Sequence, residues 1–128
     1  MVVETSTGNA IAALRNITLS TNLDLNVSVS TGSAILVVDQ VTNPGGNMSA
    51  RIKTSTGSVY ITYKGDDLAA SAKFTTSTGT GNSHFTNTGG FTTISATEFR
   101  SDNYPGPSRF DANVSTSTGS IYITGQMI

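Results

Sequence analysis

The chain contains one histidine and no cysteine, so few of its residues could catalyse a reaction. His84 lies in the segment Gly81-Asn82-Ser83-His84-Phe85, where no carboxylate or hydroxyl motif supplies the orienting group and the nucleophile that a catalytic base requires. The alternation of residues places His84 on the outward side of a strand, as a solvated surface histidine. The sequence therefore predicts that the protein is not an enzyme.

Metal and cofactor sites have equally little support in the sequence. The absence of cysteine excludes thiolate ligands and disulfides. Asp66-Asp67 offers two oxygen donors, but the spaced acidic residues of a calcium loop are missing. Gly79-Thr80-Gly81 lacks the strand, helix and lysine of a phosphate-binding loop. We expect no metal and no cofactor.

Two sets of side chains could instead form a binding surface. Tyr60 and Tyr122 stand three residues after a Ser-Thr-Gly tripeptide, on the predicted outward side, where they could stack against a sugar. The Thr-x-Thr pairs before the glycines resemble the threonine array of ice-binding β-solenoids. Their predicted side is inward, however, which favours a structural ladder of hydroxyls. The pairs are Thr5/Thr7, Thr54/Thr56, Thr76/Thr78 and Thr116/Thr118.

The tripeptide Ser-Thr-Gly occurs five times, each time between two segments of alternating polarity. The first four glycines are about 22 to 25 residues apart, and the last gap, of about 40 residues, has room for one degenerate unit. We predict that each tripeptide forms a corner at which only glycine takes a left-handed conformation. The predicted corner residues are Thr7, Gly8, Thr31, Gly32, Thr56, Gly57, Thr78, Gly79, Thr118 and Gly119.

Apolar or small residues alternate with polar ones on both sides of the glycines, which indicates half-buried β-strands. The fifth residue before each glycine is apolar, and these residues predict an inward spine: Val3, Val27, Ile52, Phe74 and Val114.

Two all-β architectures fit this pattern. One is a single-domain β-solenoid, a stack of about five coils of 20 to 25 residues; the other is an antiparallel β-sandwich of hairpins. A common two-residue hairpin would force positive φ on threonine as well as on glycine. The solenoid avoids this strain and stacks equivalent side chains about 4.8 Å apart. We expect the solenoid and keep the sandwich as the alternative.

Length and composition limit the domain count and the partners. Residues 1–128 are expected to form one β-repeat domain, and its short first coil suggests a piece of a longer protein. The net charge is −1 and only 12% of the residues are charged, so we expect no nucleic-acid partner. Because no apolar run approaches the roughly 20 residues of a membrane span, we expect no direct insertion into a membrane.

The segments Leu23–Gly32 and Ala112–Ile123 each combine the alternating strand with Ser-Thr-Gly, and the second continues into a short apolar strand. They resemble the repeats of the adhesin domains of unknown function found in bacteria and archaea, which are similar in style to the head domains of autotransporter adhesins. The resemblance implies a β-solenoid, a location at the cell surface or envelope, and no known catalytic centre.

The expected function is that of a non-enzymatic adhesin or structural module, extracellular or in the cell envelope, with a protein or glycan as its surface ligand. Two alternatives remain. The open ends of a stack could support self-association, as in a bactofilin-like scaffold. The outward side chains could also form a carbohydrate-binding or ice-binding surface.

Overall fold

Twelve β-strands make up the regular structure of the described part of the chain, which contains no helix. A computed structural model describes residues 2–16, 18, 22–40, 42, 44–66, 71–104 and 108–127. The predicted all-β class is confirmed. Asp67, the second residue of the acidic pair, lies outside the described residues.

The strands form two sheets. The seven-stranded sheet contains β1 (Val2–Thr7), β3 (Leu23–Thr31), β5 (Met48–Thr56), β7 (Ser71–Thr80), β9 (Phe91–Ser95), β10 (Glu98–Ser101) and β11 (Arg109–Thr118). The five-stranded sheet contains β2 (Ala10–Arg15), β4 (Ala34–Gln40), β6 (Val59–Gly65), β8 (Ser83–Gly89) and β12 (Ile121–Met127).

The two strands that flank a corner lie in different sheets, and each pairs in parallel with the equivalent strand of a neighbouring repeat. We call such a strand pair a unit: unit 1 is β1 and β2, unit 2 is β3 and β4, unit 3 is β5 and β6, unit 4 is β7 and β8, and unit 5 is β11 and β12. The alternative of antiparallel hairpins is wrong, because β1 pairs with β3 and not with β2. Among the described strands, the antiparallel pairs are β7 with β10 and β10 with β9.

The units do not stack in chain order. The seven-stranded sheet has the order β1-β3-β5-β11-β7-β10-β9, and the five-stranded sheet has the order β2-β4-β6-β12-β8. Unit 5 is therefore inserted between units 3 and 4. The described part of the gap of about 40 residues between Gly79 and Gly119 forms no extra parallel unit; it contains the end of β7 and the strands β8, β9, β10 and β11.

Four of the five predicted corner glycines take positive φ: Gly8, Gly32, Gly57 and Gly119. The fourth predicted corner, Thr78-Gly79, is placed two residues too early. Gly79 lies inside β7, while Gly81 has φ 113° and Thr80 pairs with Thr118. The tandem Thr-Gly-Thr-Gly offers two candidates, and pairing with β11 selects the second.

The two-residue displacement of this corner also changes which residue of unit 4 belongs to the predicted apolar spine. Val114 pairs with Ile52 on one side and with Thr76 on the other, so Thr76 occupies the spine position in unit 4. Phe74 pairs with Ala112 and belongs to the next inward position. The Thr76 hydroxyl is buried and accepts a hydrogen bond of 2.8 Å from the Ser83 hydroxyl. Because this bond satisfies the buried Thr76 hydroxyl, a threonine is tolerated in the apolar spine.

The threonine hydroxyls before the corners mostly serve their own corner. Thr54 Oγ1 donates to the Gly57 carbonyl (3.2 Å), and Thr78 Oγ1 donates to the Gly81 carbonyl (3.2 Å). Thr116 Oγ1 reaches across to the neighbouring unit and also donates to Gly57 O (3.0 Å). Because Thr54, Thr76 and Thr116 are buried, they form no exposed array.

The end of the molecule at unit 4 is covered by the segment 88–101. The chain leaves β8 through Gly89 and Gly90, which have positive φ, and enters β9 in the opposite sheet. Phe91 of β9 and Phe99 of β10 stack with ring centroids 4.8 Å apart, and both side chains are buried. These rings close one end of the core.

Candidate interaction surface

The outer face of the five-stranded sheet carries a stack of three aromatic rings. Tyr60, Tyr122 and His84 are paired in register on β6, β12 and β8. The ring centroids of Tyr60 and Tyr122 are 5.2 Å apart with an interplanar angle of 8°. Those of Tyr122 and His84 are 4.9 Å apart at 9°. The stack follows from the parallel register, which sets equivalent side chains side by side.

Ile35 of β4 and Ile11 of β2 extend this stack to the other end of the sheet, in register with Tyr60. Ile11, Tyr60 and Tyr122 have exposed fractions of 61%, 45% and 40%. We call the five residues the aromatic column: Ile11, Ile35, Tyr60, Tyr122 and His84. It is a stripe of aliphatic and aromatic side chains that crosses all five strands.

A polar column lies beside the aromatic column on the corner side, where each unit has serine or asparagine directly after the corner glycine. Some of these side chains accept hydrogen bonds from the backbone of the next unit: Asn9 Oδ1 accepts from Ser33 N (3.3 Å) and Ser120 Oγ accepts from Asn82 N (3.4 Å). On the other side lies a column of small or hydroxyl residues: Ala13, Val37, Thr62, Thr124 and Thr86.

Charge is distributed unequally between the two outer faces. Within the strands of the five-stranded sheet, the described charged residues are Arg15, Asp39 and Lys64, which share one register position far from the corners. The strands of the seven-stranded sheet carry nine charged residues: Glu4, Asp24, Arg51, Lys53, Lys73, Glu98, Arg100, Arg109 and Asp111. The aromatic column and its two neighbouring columns thus form an uncharged surface.

The stacking limits how this surface can meet a ligand. Tyr60 and His84 approach Tyr122 from opposite neighbouring strands, with nearly parallel rings. Both faces of the Tyr122 ring are therefore covered, and the edges of the rings point outward. A pyranose that stacks on an aromatic face has no such face on Tyr122, which argues against the predicted sugar-stacking role of this residue.

The structure brings Tyr60 and Tyr122 together, as their shared position after the corner predicts. His84 is not recognisable as their neighbour when the fourth repeat is counted from Gly79. Counted from Gly81, His84 stands three residues after the corner, as Tyr60 and Tyr122 do. The predicted outward and exposed position of His84 agrees with the structure.

Two tyrosines that lie away from this surface have raised pKa values. Burial raises the pKa of Tyr63, whose hydroxyl has no hydrogen-bond partner among the described residues. Partial burial, followed by the hydrogen bond that Tyr104 donates to Asp111, raises the pKa of Tyr104. Tyr104 lies beside the charged side chains of Asp111, Arg109 and Lys73, whereas Tyr63 is packed among phenylalanine rings.

The described residues show neither a metal-ligand cluster nor a helix that could span a membrane. These residues contain no group of three or more His, Asp or Glu side chains placed to hold a metal ion. The described part of the chain also has no helix with the length and apolarity that a membrane crossing requires.

One solved structure shares this fold. A crystal structure of a protein from Clostridium sporogenes, described as a "putative cell adhesion protein", superposes with a TM-score of 0.74 at 19% sequence identity. The match covers 97% of this chain and 54% of that one, so the chain spans about half the length of its structural neighbour. At this identity the likeness shows the fold alone. No protein-family model and no curated protein sequence matches the chain.

Proposed function

We propose that the chain is a non-enzymatic β-solenoid module of a cell-surface or envelope protein, and that the aromatic column and its two neighbouring columns, on the outer face of the five-stranded sheet, form its adhesive surface. The observation that carries the proposal is the aromatic column, an exposed stripe of aliphatic and aromatic side chains whose two neighbouring columns contain no charged residue. Exposed apolar patches mark interaction sites, and protein interfaces are rich in aromatic residues and poor in charged ones at their centres.

The solenoid assignment is supported by the parallel register of the five units and by their shared corners. In the proposed solenoid, unit 5 is a displaced coil that lies between units 3 and 4. Support for a surface location comes from the fold shared with a protein described as a cell adhesion protein. His84 supports the non-enzymatic part, because its ring packs on Tyr122 on an open face.

The ligand that fits this face best is the surface of another protein. Along each strand a serine or asparagine, then an aliphatic or aromatic side chain, then a small, aliphatic or hydroxyl side chain follow one another outward from the corner at every second residue. The complementary surface therefore mixes apolar and hydrogen-bonding groups. A sugar remains the second ligand class, held by hydroxyls and not by stacking on Tyr122.

A matched pair of variants tests the adhesive face. Tyr122→Lys places a charge in the aromatic column, and Asn113→Lys places the same charge on the opposite face of the same unit. Both positions are exposed. The domain, displayed on beads, is applied to immobilised extracellular-matrix proteins and to a glycan array. We expect Tyr122→Lys to abolish any retention that Asn113→Lys preserves. Retention on neither panel, or equal loss in both variants, would overturn the proposal.

A further inference from the structure

The outer face of the seven-stranded sheet carries two cations on one strand of its interior. Arg51 and Lys53 of β5 are both exposed. Because they are two residues apart in a strand, their side chains leave the same side of the sheet about 6.8 Å apart. Among the described residues an ion pair joins Arg100 to Glu98, and none joins Arg51 or Lys53 to an acid. These two charges are therefore available to a ligand.

Neutral hydrogen-bonding side chains flank each of the two cations on both sides. Arg51 is in register with an asparagine on β3 and another on β11, and Lys53 is in register with a serine on each of the same strands. Adjacent strands are about 4.8 Å apart, so these amides and hydroxyls can reach a group that the cations bind. We call the set the Arg51 patch: Asn26, Ser28, Arg51, Lys53, Asn113 and Ser115.

The surface of the Arg51 patch is uneven, with three depressions that all have Arg51 in their lining. One is also lined by Asn26 and Asn113, a second by Ser28, and a third by Ser115. A ligand that occupies them would lie across β3, β5 and β11 with the Arg51 guanidinium at its centre.

Acidic residues limit the extent of the patch. Asp24 and Asp111 hold the next outward positions of β3 and β11 on the side away from the corner, and Glu4 of β1 is in register with Ser28. A negative group is attracted over the two cations and repelled at these borders. One isolated anionic group therefore fits the patch, whereas the dense charge of a polyanion such as nucleic acid does not.

We propose that the Arg51 patch binds a saccharide that carries a single carboxylate among neutral sugar rings. The Arg51 guanidinium holds the carboxylate through two parallel hydrogen bonds, a geometry that suits these two planar groups. The asparagine and serine side chains of the patch bind the sugar hydroxyls.

The polarity of the surroundings favours a saccharide over a protein. At and beside the patch, the outward side chains of β3, β5 and β11 are all polar. A protein interface needs an apolar centre, which this surface lacks. The proposal does not rest on the adhesive role of the aromatic column, which lies on the other sheet.

Nuclear magnetic resonance titration of the ¹⁵N-labelled protein with sialyllactose tests the site. Lactose, which lacks the carboxylate, is the matched ligand. We expect amide shifts centred on β3, β5 and β11, a Kd on the order of 1 mM for sialyllactose, and binding of lactose at least about tenfold weaker. No binding of sialyllactose, equal binding of lactose, or shifts centred on the five-stranded sheet would overturn the proposal.

A blocked aspartate peptide supplies the carboxylate without the sugar. We expect it to bind at least about tenfold more weakly than sialyllactose, because it cannot use the asparagine and serine side chains in the same way. Equal affinity would assign the patch to the carboxylates of acidic peptides and would overturn the saccharide assignment.

Variants of Arg51 test the role of the guanidinium. Arg51→Gln should weaken sialyllactose binding at least about tenfold, and Arg51→Lys, which keeps the charge without the planar fork, should recover only part of the loss. Arg15→Gln removes the same charge from the outer face of the five-stranded sheet and is the control. Both arginines are exposed, so the melting temperature should stay unchanged. Equal weakening in Arg51→Gln and Arg15→Gln would reveal an effect of net charge alone and contradict the site.

The two surfaces are tested on separate ligands. The aromatic column is judged on proteins and neutral glycans, and the Arg51 patch on acidic saccharides. Tyr122→Lys should leave the affinity for sialyllactose within about twofold of the wild type, since Tyr122 faces away from the patch. Loss of sialyllactose binding in Tyr122→Lys would place the saccharide on the five-stranded sheet and overturn the assignment to Arg51.

Discussion

A Cβ on Gly57 would point directly at the carbonyl oxygen of Gly32 in the neighbouring unit, well inside van der Waals contact. Gly57 also has φ 137°, in the region that side-chain-bearing residues rarely adopt. The corner therefore requires glycine for two separate reasons. One is its own backbone conformation, and the other is the close approach of the preceding unit.

Replacement of two corner glycines separates these reasons. Gly8 has φ 107° but an open Cβ position, so Gly8→Ala should cost only the backbone strain, about 1 kcal/mol. Gly57→Ala adds the collision with Gly32 and should cost more than about 3 kcal/mol. Urea unfolding followed by circular dichroism measures both values. Equal losses would show that the contact between units does not govern the choice of glycine.

The corner and the strands that flank it could be predicted from sequence because both depend on local patterns. Alternation placed Val27 and Ile52 inward, and both are buried in register with each other. The choice between Gly79 and Gly81 could not be made locally, since each follows a threonine in the same segment. Pairing of Thr118 with Thr80, across 38 positions of sequence, decides it.

The stacking order was also beyond local reasoning. Unit 5 pairs with unit 3 through Val114 and Ile52, and with unit 4 through Val114 and Thr76. Nothing in a repeat pattern distinguishes this order from a stack in chain order, because all units carry the same register. The cap formed by Phe91 and Phe99 gives the physical reason: it covers the far side of unit 4, so unit 5 is accommodated on the other side.

Tyr63 provides a prediction about the core. Its ring is fully buried among Phe74, Phe91 and Phe110, with centroid distances of 5.9, 6.0 and 5.6 Å, and its hydroxyl has no hydrogen-bond partner among the described residues. A buried, unpaired hydroxyl costs about 1–3 kcal/mol. Tyr63→Phe should therefore leave the free energy of unfolding unchanged or raise it. Tyr60→Phe, which removes an exposed hydroxyl, is the control, and a marked loss in Tyr63→Phe would reveal an unrecognised partner.

The same residue should affect stability at alkaline pH. Burial raises the pKa of Tyr63 in the folded state above the value of about 10 that it has when unfolded. Below pH 10 the phenol is neutral in both states, so stability is unaffected; above it the unfolded state loses its proton first, and stability falls as pH rises. In unfolding curves between pH 8 and pH 11, Tyr63→Phe should show a shallower fall than the wild type. Parallel curves would contradict the raised pKa.

Asn87 should be important for the cap at unit 4. Its Oδ1 accepts from Gly89 N (2.9 Å) and Phe91 N (3.2 Å), and its Nδ2 donates to Phe91 O (2.7 Å). These three bonds hold the chain as it crosses from β8 to β9. Asn87→Ala should cost about 1–3 kcal/mol and increase amide hydrogen exchange in β9 and β10 more than in β3. Asn113→Ala, on the outer face of β11, should change neither quantity.

The aromatic column allows a direct measurement of the coupling between stacked side chains. Tyr60 and Tyr122 are in contact, whereas Tyr60 and His84 are separated by β12. A double-mutant cycle to alanine should give a favourable coupling of about 0.5–1.5 kcal/mol for Tyr60 with Tyr122, and close to zero for Tyr60 with His84. Thermal and urea unfolding of the single and double variants supply the coupling energies.

If both cycles gave a coupling energy of zero, the backbone register alone would place the rings. Other side chains could then replace these rings without loss of stability. A coupling confined to the adjacent pair would show that stacking itself rigidifies the proposed adhesive face, because each ring is then held by its neighbour as well as by its own strand.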